Sequence, residues 1–221
     1  AYTLDGLMAK PLIEEKCEIV ANAFKRYKEI QLTYGDEFLE FKQAKTALNK
    51  RLKELNQELN QLLHKQASSI PFEDWLQTHQ PFHWFAEFYE ILQDNRGFNV
   101  IIGNPPYVVY TAEKSPYKLK DYATLTCANL YAYCAERSFN IMNSNGRFGM
   151  IIPNSSISAD KLSPLQKIFI RDKTTWISNY AWRPAKLFEG ANMLLAIVLS
   201  VKGNEKAVRA SAYYKWYNDY R

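Results

Sequence analysis

Phe98-Asn99-Val100-Ile101-Ile102-Gly103-Asn104-Pro105-Pro106-Tyr107-Val108-Val109-Tyr110 decides how this sequence folds. Phe98 to Gly103 is short, apolar and without alternation. That pattern predicts a strand in the middle of a parallel sheet, covered on both faces. The strand then ends in an abrupt polar turn. Two consecutive prolines fix φ twice and remove two N–H donors, so the loop is stiff and its carbonyls are free to point outward. In open α/β sheets, ligands bind beyond the carboxyl ends of the strands. Asn104 offers an amide oxygen there, Pro105 a carbonyl and Tyr107 a flat ring. Two acceptors and a ring can hold an exocyclic amine and raise its nucleophilicity without a strong base.

Downstream, strand and helix signals alternate. A loop rich in Tyr, Lys and Ser (108–121) leads to a helix from about Ala128 to Asn143. Asn143 to Arg147 reads as a turn and Phe148 to Pro153 as a second buried strand. Ser163 to Arg171 reads as a helix with Pro164 in its first turn. "TWISNYAW" and "NMLLAIVLSVK" are a third and a fourth strand. The link between them, "RPAKLFEGA", is too short for a crossover helix, so those two strands are expected to be antiparallel. The whole is α/β organisation.

Upstream, Glu14 to Ile30 predicts a helix whose apolar face carries Ile19, Ala23, Phe24 and Ile30. After a break at Gly35 and Asp36, a long helix runs to about Gln66. Phe41, Ala44, Leu48, Leu52, Leu55, Leu59 and Leu62 form nearly a heptad seam. The preceding helix, folded back as a hairpin, is the expected cover. Residues 71–97 are dense in aromatics, and Trp75, Phe82, Trp84, Phe85, Phe88 and Tyr89 are expected to pack inward. The expected divisions are a helical hairpin over 1–70, a connector over 71–97, an α/β domain over 98–204 and the start of a downstream segment over 205–221.

The composition narrows the function classes. Of 221 residues, 47% are hydrophobic and 23% charged, as in a globular protein. No apolar run reaches the roughly 18 residues of a membrane span, so no membrane partner is expected. Cys17, Cys127 and Cys134 are odd in number and lack C-x-x-C spacing, which argues against a disulfide framework or a zinc site. His64, His79 and His83 give no metal-binding pair, so no metal is assigned. A reducing, cytoplasmic setting fits. The net charge of +5 divides unevenly, −3 over 1–97 and +8 over 98–221. The basic half carries the stiff turn, a hint of a polyanionic partner. The sequence runs from Ala1 to Arg221 and is expected to be a piece of a longer protein.

"GFNVIIGNPPY" resembles the catalytic motif of amino-methyltransferases that use S-adenosylmethionine. With "PFHWFAEFYEIL" before it and "NLYAYCAERSFNIMNSNGRFGMIIPNSSISA" and "LFEGANMLLAIVLSVKG" after it, it resembles DNA adenine-N6 methyltransferases of the type IIG restriction–modification kind. The resemblance implies methyl transfer to adenine N6 in a restriction–modification or phage-defence system, with double-stranded DNA as partner and the target adenine flipped out. Asn104 and the Pro105 carbonyl would accept from the N6 amine, Pro106 would hold the loop and Tyr107 would stack on the base. Phe188 would be a second aromatic against the base, and Lys118 and Lys120, with Lys114, would meet phosphates. It further implies the carboxyl-terminal half of a Rossmann-like methyltransferase sheet, strands 4-5-7-6 with the last antiparallel, preceded by an α-helical hairpin insertion.

None of the eight glycines forms G-x-G after a strand, so the half that binds S-adenosylmethionine is expected to be missing and the piece inactive alone. Phe98 to Gly103 would then be an exposed edge, and the edge or the hairpin a place for self-association. The motif also occurs in RNA and protein-glutamine methyltransferases, and a non-catalytic interaction module on a relic fold is the reading from another class.

Overall fold

A computed structural model describes residues 4–33, 38–67, 70–93, 96–113, 115, 119–184, 186–190, 192–202 and 206–215. The chain divides into two compact units, Ala1–Asp94 and Asn95–Arg221.

The first unit is helical. Helices α1 (Leu4–Thr33) and α2 (Phe38–Ala67) lie against each other. Leu48 and Leu55 of the seam are buried, with Leu52 and Leu59 beside them. On α1 the buried face differs from the expected one. Cys17, Val20 and Ala21 are buried, while Ile19 and Phe24 are exposed. Ile13, Cys17, Val20 and Tyr27 keep helical spacing, and Ala23 of the expected face packs with them. Helix α1 also begins earlier than expected and runs through Pro11. An ion pair between Lys16 and Glu58 links the two helices.

Short helices α3 (Phe72–His79), α4 (Trp84–Glu87) and α5 (Tyr89–Gln93) follow. Trp75 is buried, whereas Phe82 and Trp84 are exposed rather than packed inward. The Trp84 and Phe88 rings stack on each other at 5.4 Å. The side chain of Phe85 lies outside the described residues.

The second unit is α/β. Its elements are β1 (Phe98–Gly103), α6 (Leu130–Ile141), β2 (Met142–Pro153), α7 (Ser155–Ser158), α8 (Ser163–Ile170), β3 (Lys173–Tyr180), β4 (Leu195–Lys202) and β5 (Ala207–Tyr214). The sheet order is β1-β2-β4-β3-β5. Strand β4 is antiparallel to both β2 and β3, while β1 pairs parallel with β2 and β5 parallel with β3. Two elements depart from the sequence reading. Strand β2 begins at Met142 rather than Phe148, and the expected turn interrupts it: the pairing with β1 jumps from Phe98–Met142 to Val100–Arg147, and Asn145 N–H donates to Asn143 Oδ1 at 3.1 Å. Residues 207–214 form β5, since the edge of β3 still has donors and acceptors to pair. Strand β1 is the exposed edge expected for this piece, and its Val100 and Ile102 are 54% and 77% exposed.

One face of the sheet is covered by α6 and α8. Phe139 stacks on Phe148 at 4.4 Å, and Phe169 closes over both. Ile152, Leu165, Ala196 and Val198 complete this core, each 0% exposed. The opposite face carries a row that follows the pairing register: Ile102, Gly149, Leu199 and Trp176. Gly149 keeps this row tight: a Cβ would lie 3.1 Å from both the Ile102 and Leu199 side chains, which would have to shift. Gly97 is needed at the entry to β1, where φ is +119° and a Cβ would meet the Ile141 carbonyl at 2.5 Å.

Two lysines close the amino edge of the sheet. Lys202 Nζ donates to the carbonyls of Phe139 and Met142 at the end of α6. Lys173 is buried and donates to the Arg171 carbonyl at 2.7 Å. Burial, and then the neighbouring Lys202 charge, lower the Lys173 pKa from 10.5 to about 8. The unfolded chain therefore binds more protons between those values, so stability rises as pH climbs from about 8 to 10.5. Below that window the cost of the buried charge is fully present. Denaturant titration of the chain and of Lys173→Met should show the difference between them moving in favour of the unmutated chain across this range.

Candidate active site at the carboxyl edge of the sheet

Strand β1 delivers Asn104 past the end of its pairing with β2, which stops at Gly103 and Met150. Asn104 and Pro106 are exposed, Pro105 is buried and Tyr107 is half-buried. The buried proline anchors the turn and the exposed asparagine faces outward. The Tyr107 hydroxyl lies 2.8 Å from Asn104 Oδ1 and 3.0 Å from the Ile151 carbonyl. One proton thus faces two acceptors, and through it the turn is tied to β2. Burial raises the Tyr107 pKa above its ordinary value, so the hydroxyl keeps its proton near neutrality. The Tyr131 ring meets the Tyr107 ring edge-on at 6.3 Å. Each amide oxygen has two lone pairs, so Asn104 Oδ1 retains one for a second donor.

After Tyr107 the backbone is held at once. Leu130 N–H donates to the Val108 carbonyl and Tyr110 N–H to the Ala128 carbonyl, both at 2.9 Å. Residues 108–110 therefore run beside the start of α6. Val108 and Val109 are 53% and 66% exposed, so apolar surface flanks the turn.

The other expected site residues are not all placed with this tetrad. Phe188 is half-buried in the link from β3 to β4. That link lies at the same edge, because β3 runs parallel to β1. It begins three strand spacings from β1, about 14 Å. Lys120 is exposed in the loop before α6. Lys114 and Lys118 lie outside the described residues. Among the described residues, no group of His, Cys, Asp and Glu is arranged to hold a metal ion. No described helix is long and apolar enough to cross a membrane.

A buried polar cluster at the same edge was not expected. Asn154, directly after β2, donates from Nδ2 to Asn179 Oδ1 at 2.8 Å. Its own Oδ1 accepts from the Tyr213 hydroxyl at 2.6 Å. Asn179 Nδ2 reaches the Ser211 carbonyl at 2.8 Å. The cluster joins the carboxyl ends of β2, β3 and β5. Its sequence signal was Pro153-Asn154, a polar residue straight after a buried strand, as at Asn104. Asn154→Ala leaves Asn179 Oδ1 and the Tyr213 hydroxyl without this partner. It is expected to destabilise the chain by about 1–3 kcal/mol, read from the midpoint of urea unfolding at an unchanged slope.

The family model of the Eco57I restriction-modification methylase matches residues 15–188. A protein of Methanocaldococcus jannaschii described as a type II restriction enzyme and methyltransferase is 28% identical over 130 residues, 58% of this chain and 10% of its own length. The chain thus spans about a tenth of that curated relative. Among solved structures, the fold is similar to part of the Type ISP restriction-modification enzyme LlaGI in complex with a DNA substrate mimic. That likeness has a TM-score of 0.42 and 17% identity, over 78% of this chain and 19% of that one. It is also similar to part of the DrdV–DNA complex, with a TM-score of 0.42 and 16% identity over 54% and 15% of the two chains. The M protein of the type I restriction enzyme EcoKI gives a TM-score of 0.38 and 12% identity, over 51% and 23%.

Proposed function

The chain belongs to the Eco57I restriction-modification methylase family, and from that premise we propose that it holds the amine-activating part of a DNA methyltransferase. The substrate is the N6 amine of an adenine flipped out of double-stranded DNA, and the methyl donor is S-adenosylmethionine. The observation that carries this reading is the turn itself. An exposed Asn104, a buried Pro105 and a tyrosine bonded to Asn104 Oδ1 end a strand at the edge where α/β sheets bind ligands.

The amine has two N–H bonds. Asn104 Oδ1 accepts one and the Pro105 carbonyl the other. Two in-plane acceptors draw the nitrogen lone pair out of conjugation with the ring, which raises its nucleophilicity where the new bond forms. The proline pair fixes those acceptors in advance, so no reorganisation is needed as charge develops. Flipping the base costs a few kcal/mol, and stacking on Tyr107 returns about 1–3 kcal/mol. Phe188 is the second face of that stack, and Lys118 and Lys120 meet the phosphates.

The chain's residues do not fit a pocket for S-adenosylmethionine. No G-x-G turn follows a strand, and Gly103 at the end of β1 is followed, after Asn104, by prolines that offer no N–H to a ligand. The roles above concern the amine alone. The order β1-β2-β4-β3 supports reading these strands as 4-5-7-6 of a methyltransferase sheet, with the α1–α2 pair as a helical insertion before it. Exposed Val100 and Ile102 support an edge that a further part of the protein or a second copy covers.

The test uses the full-length protein that carries this sequence, S-adenosylmethionine labelled on its methyl group, and unmethylated genomic DNA. Label should appear in N6-methyladenine. Asn104→Ala should lower its rate by about 10²–10³-fold with donor binding retained. Label in RNA or protein instead would move the substrate. A protein that binds no donor would leave only the non-catalytic module.

A further inference from the structure

We propose that Glu136 is a positioning residue for methyl transfer, acting through the loop that follows the Asn104–Tyr107 turn. The inference rests on the reading of that turn as the amine site. Glu136 sits on α6, 7% exposed, and its carboxylate takes three donors. Ala123 N–H reaches Oε1 at 2.9 Å, Thr124 N–H reaches Oε2 at 2.9 Å, and the Thr124 hydroxyl reaches Oε2 at 2.6 Å. Thr124 is 0% exposed. A carboxylate is retained inside a protein only with its acceptor sites filled. Here every described donor comes from one short stretch of loop.

That stretch closes a loop whose other end is the candidate site. Residues 108–110 leave Tyr107 and pair with Ala128 and Leu130 at the start of α6. Glu136 then grips residues 123–124 nearly two turns further along the same helix. Between these two clamps, α6 adds aromatic packing: Tyr133 meets Tyr110 at 5.5 Å and Tyr122 at 5.6 Å. The Tyr110 hydroxyl accepts from Leu119 N–H at 2.9 Å, which ties the loop interior to its own base. One helix therefore holds both the exit from the tetrad and the return of the loop. The exposed Lys120 lies between the clamps. Loss of the carboxylate loosens residues 123–124, and the change reaches Tyr107 through the packed rings of Tyr122, Tyr133 and Tyr110.

A purely structural staple would cost stability and nothing else. A positioning residue costs rate at unchanged donor binding. In the full-length protein, Glu136→Gln keeps the size of the side chain but turns an N–H₂ toward an N–H donor. It should lower the single-turnover methyl-transfer constant by about 10²-fold, the scale of a misplacement near 1 Å. The affinity for S-adenosylmethionine should stay within about twofold, well under one decade. Thr124→Val removes one donor isosterically and should lower the constant by about tenfold, one decade per lost interaction of this size. Thr124→Ser keeps the hydroxyl and should restore the unmutated rate, and this pair decides the matter if Glu136→Gln folds poorly. An active protein in which Thr124→Val transfers methyl at the unmutated rate overturns the positioning role and leaves the amine site standing. An unmutated protein that leaves adenine unmethylated overturns the amine site itself, and the positioning role with it.

Discussion

The prolines at 105 and 106 impose the constraint on which the site depends. A strand end normally presents N–H groups that neighbouring chain or water must satisfy. Here two successive residues carry none, and both have φ fixed near the same value. The middle of the turn therefore presents acceptors without backbone donors, in one arrangement. Pro105 is buried and Asn104 exposed, so the rigid element is anchored on one side and offered on the other. The Tyr107 hydroxyl links the amide oxygen of that asparagine to the backbone of β2. Movement of β2 would be felt at Asn104, and the core behind β2 resists it. Phe139, Phe148 and Phe169 fill that core from α6, β2 and α8.

Helix α6 is the second support. It supplies Phe139 to the core, Tyr131 to the edge of Tyr107, and Tyr133 and Glu136 to the loop. Its end is capped by Lys202 from β4. A single helix thus couples sheet, turn and loop. That explains how a buried carboxylate distant in sequence from the motif bears on its geometry.

The turn was legible in the sequence because its shape is local. Four adjacent residues define it, and the strand before it, exposed at Val100 and Ile102, carries it to the carboxyl edge of the sheet. The antiparallel run of β4 was legible for a similar reason, since the link from β3 is too short to cross over. What was not legible depends on distant partners. The apolar run Phe98 to Gly103 shows a strand but not what covers it, and Val100 and Ile102 are 54% and 77% exposed. Residues 207–214 carry few strand signals and form β5 because β3 offers them an edge. Cys17 turned out to be a core residue, at helical spacing with Val20. Nothing local in the sequence singles out Glu136; the return of residues 123–124 makes it a buried acceptor.

The claim at the centre of this account is that a flipped adenine places its amine between Asn104 Oδ1 and the Pro105 carbonyl. The direct measurement is an experimental structure of the full-length protein with its DNA and an unreactive analogue of S-adenosylmethionine. The account predicts the N6 nitrogen within hydrogen-bond distance of both oxygens, about 2.9 Å, with the Tyr107 ring against the base. An adenine held elsewhere on the protein, with Asn104 and Pro105 facing solvent, would contradict it.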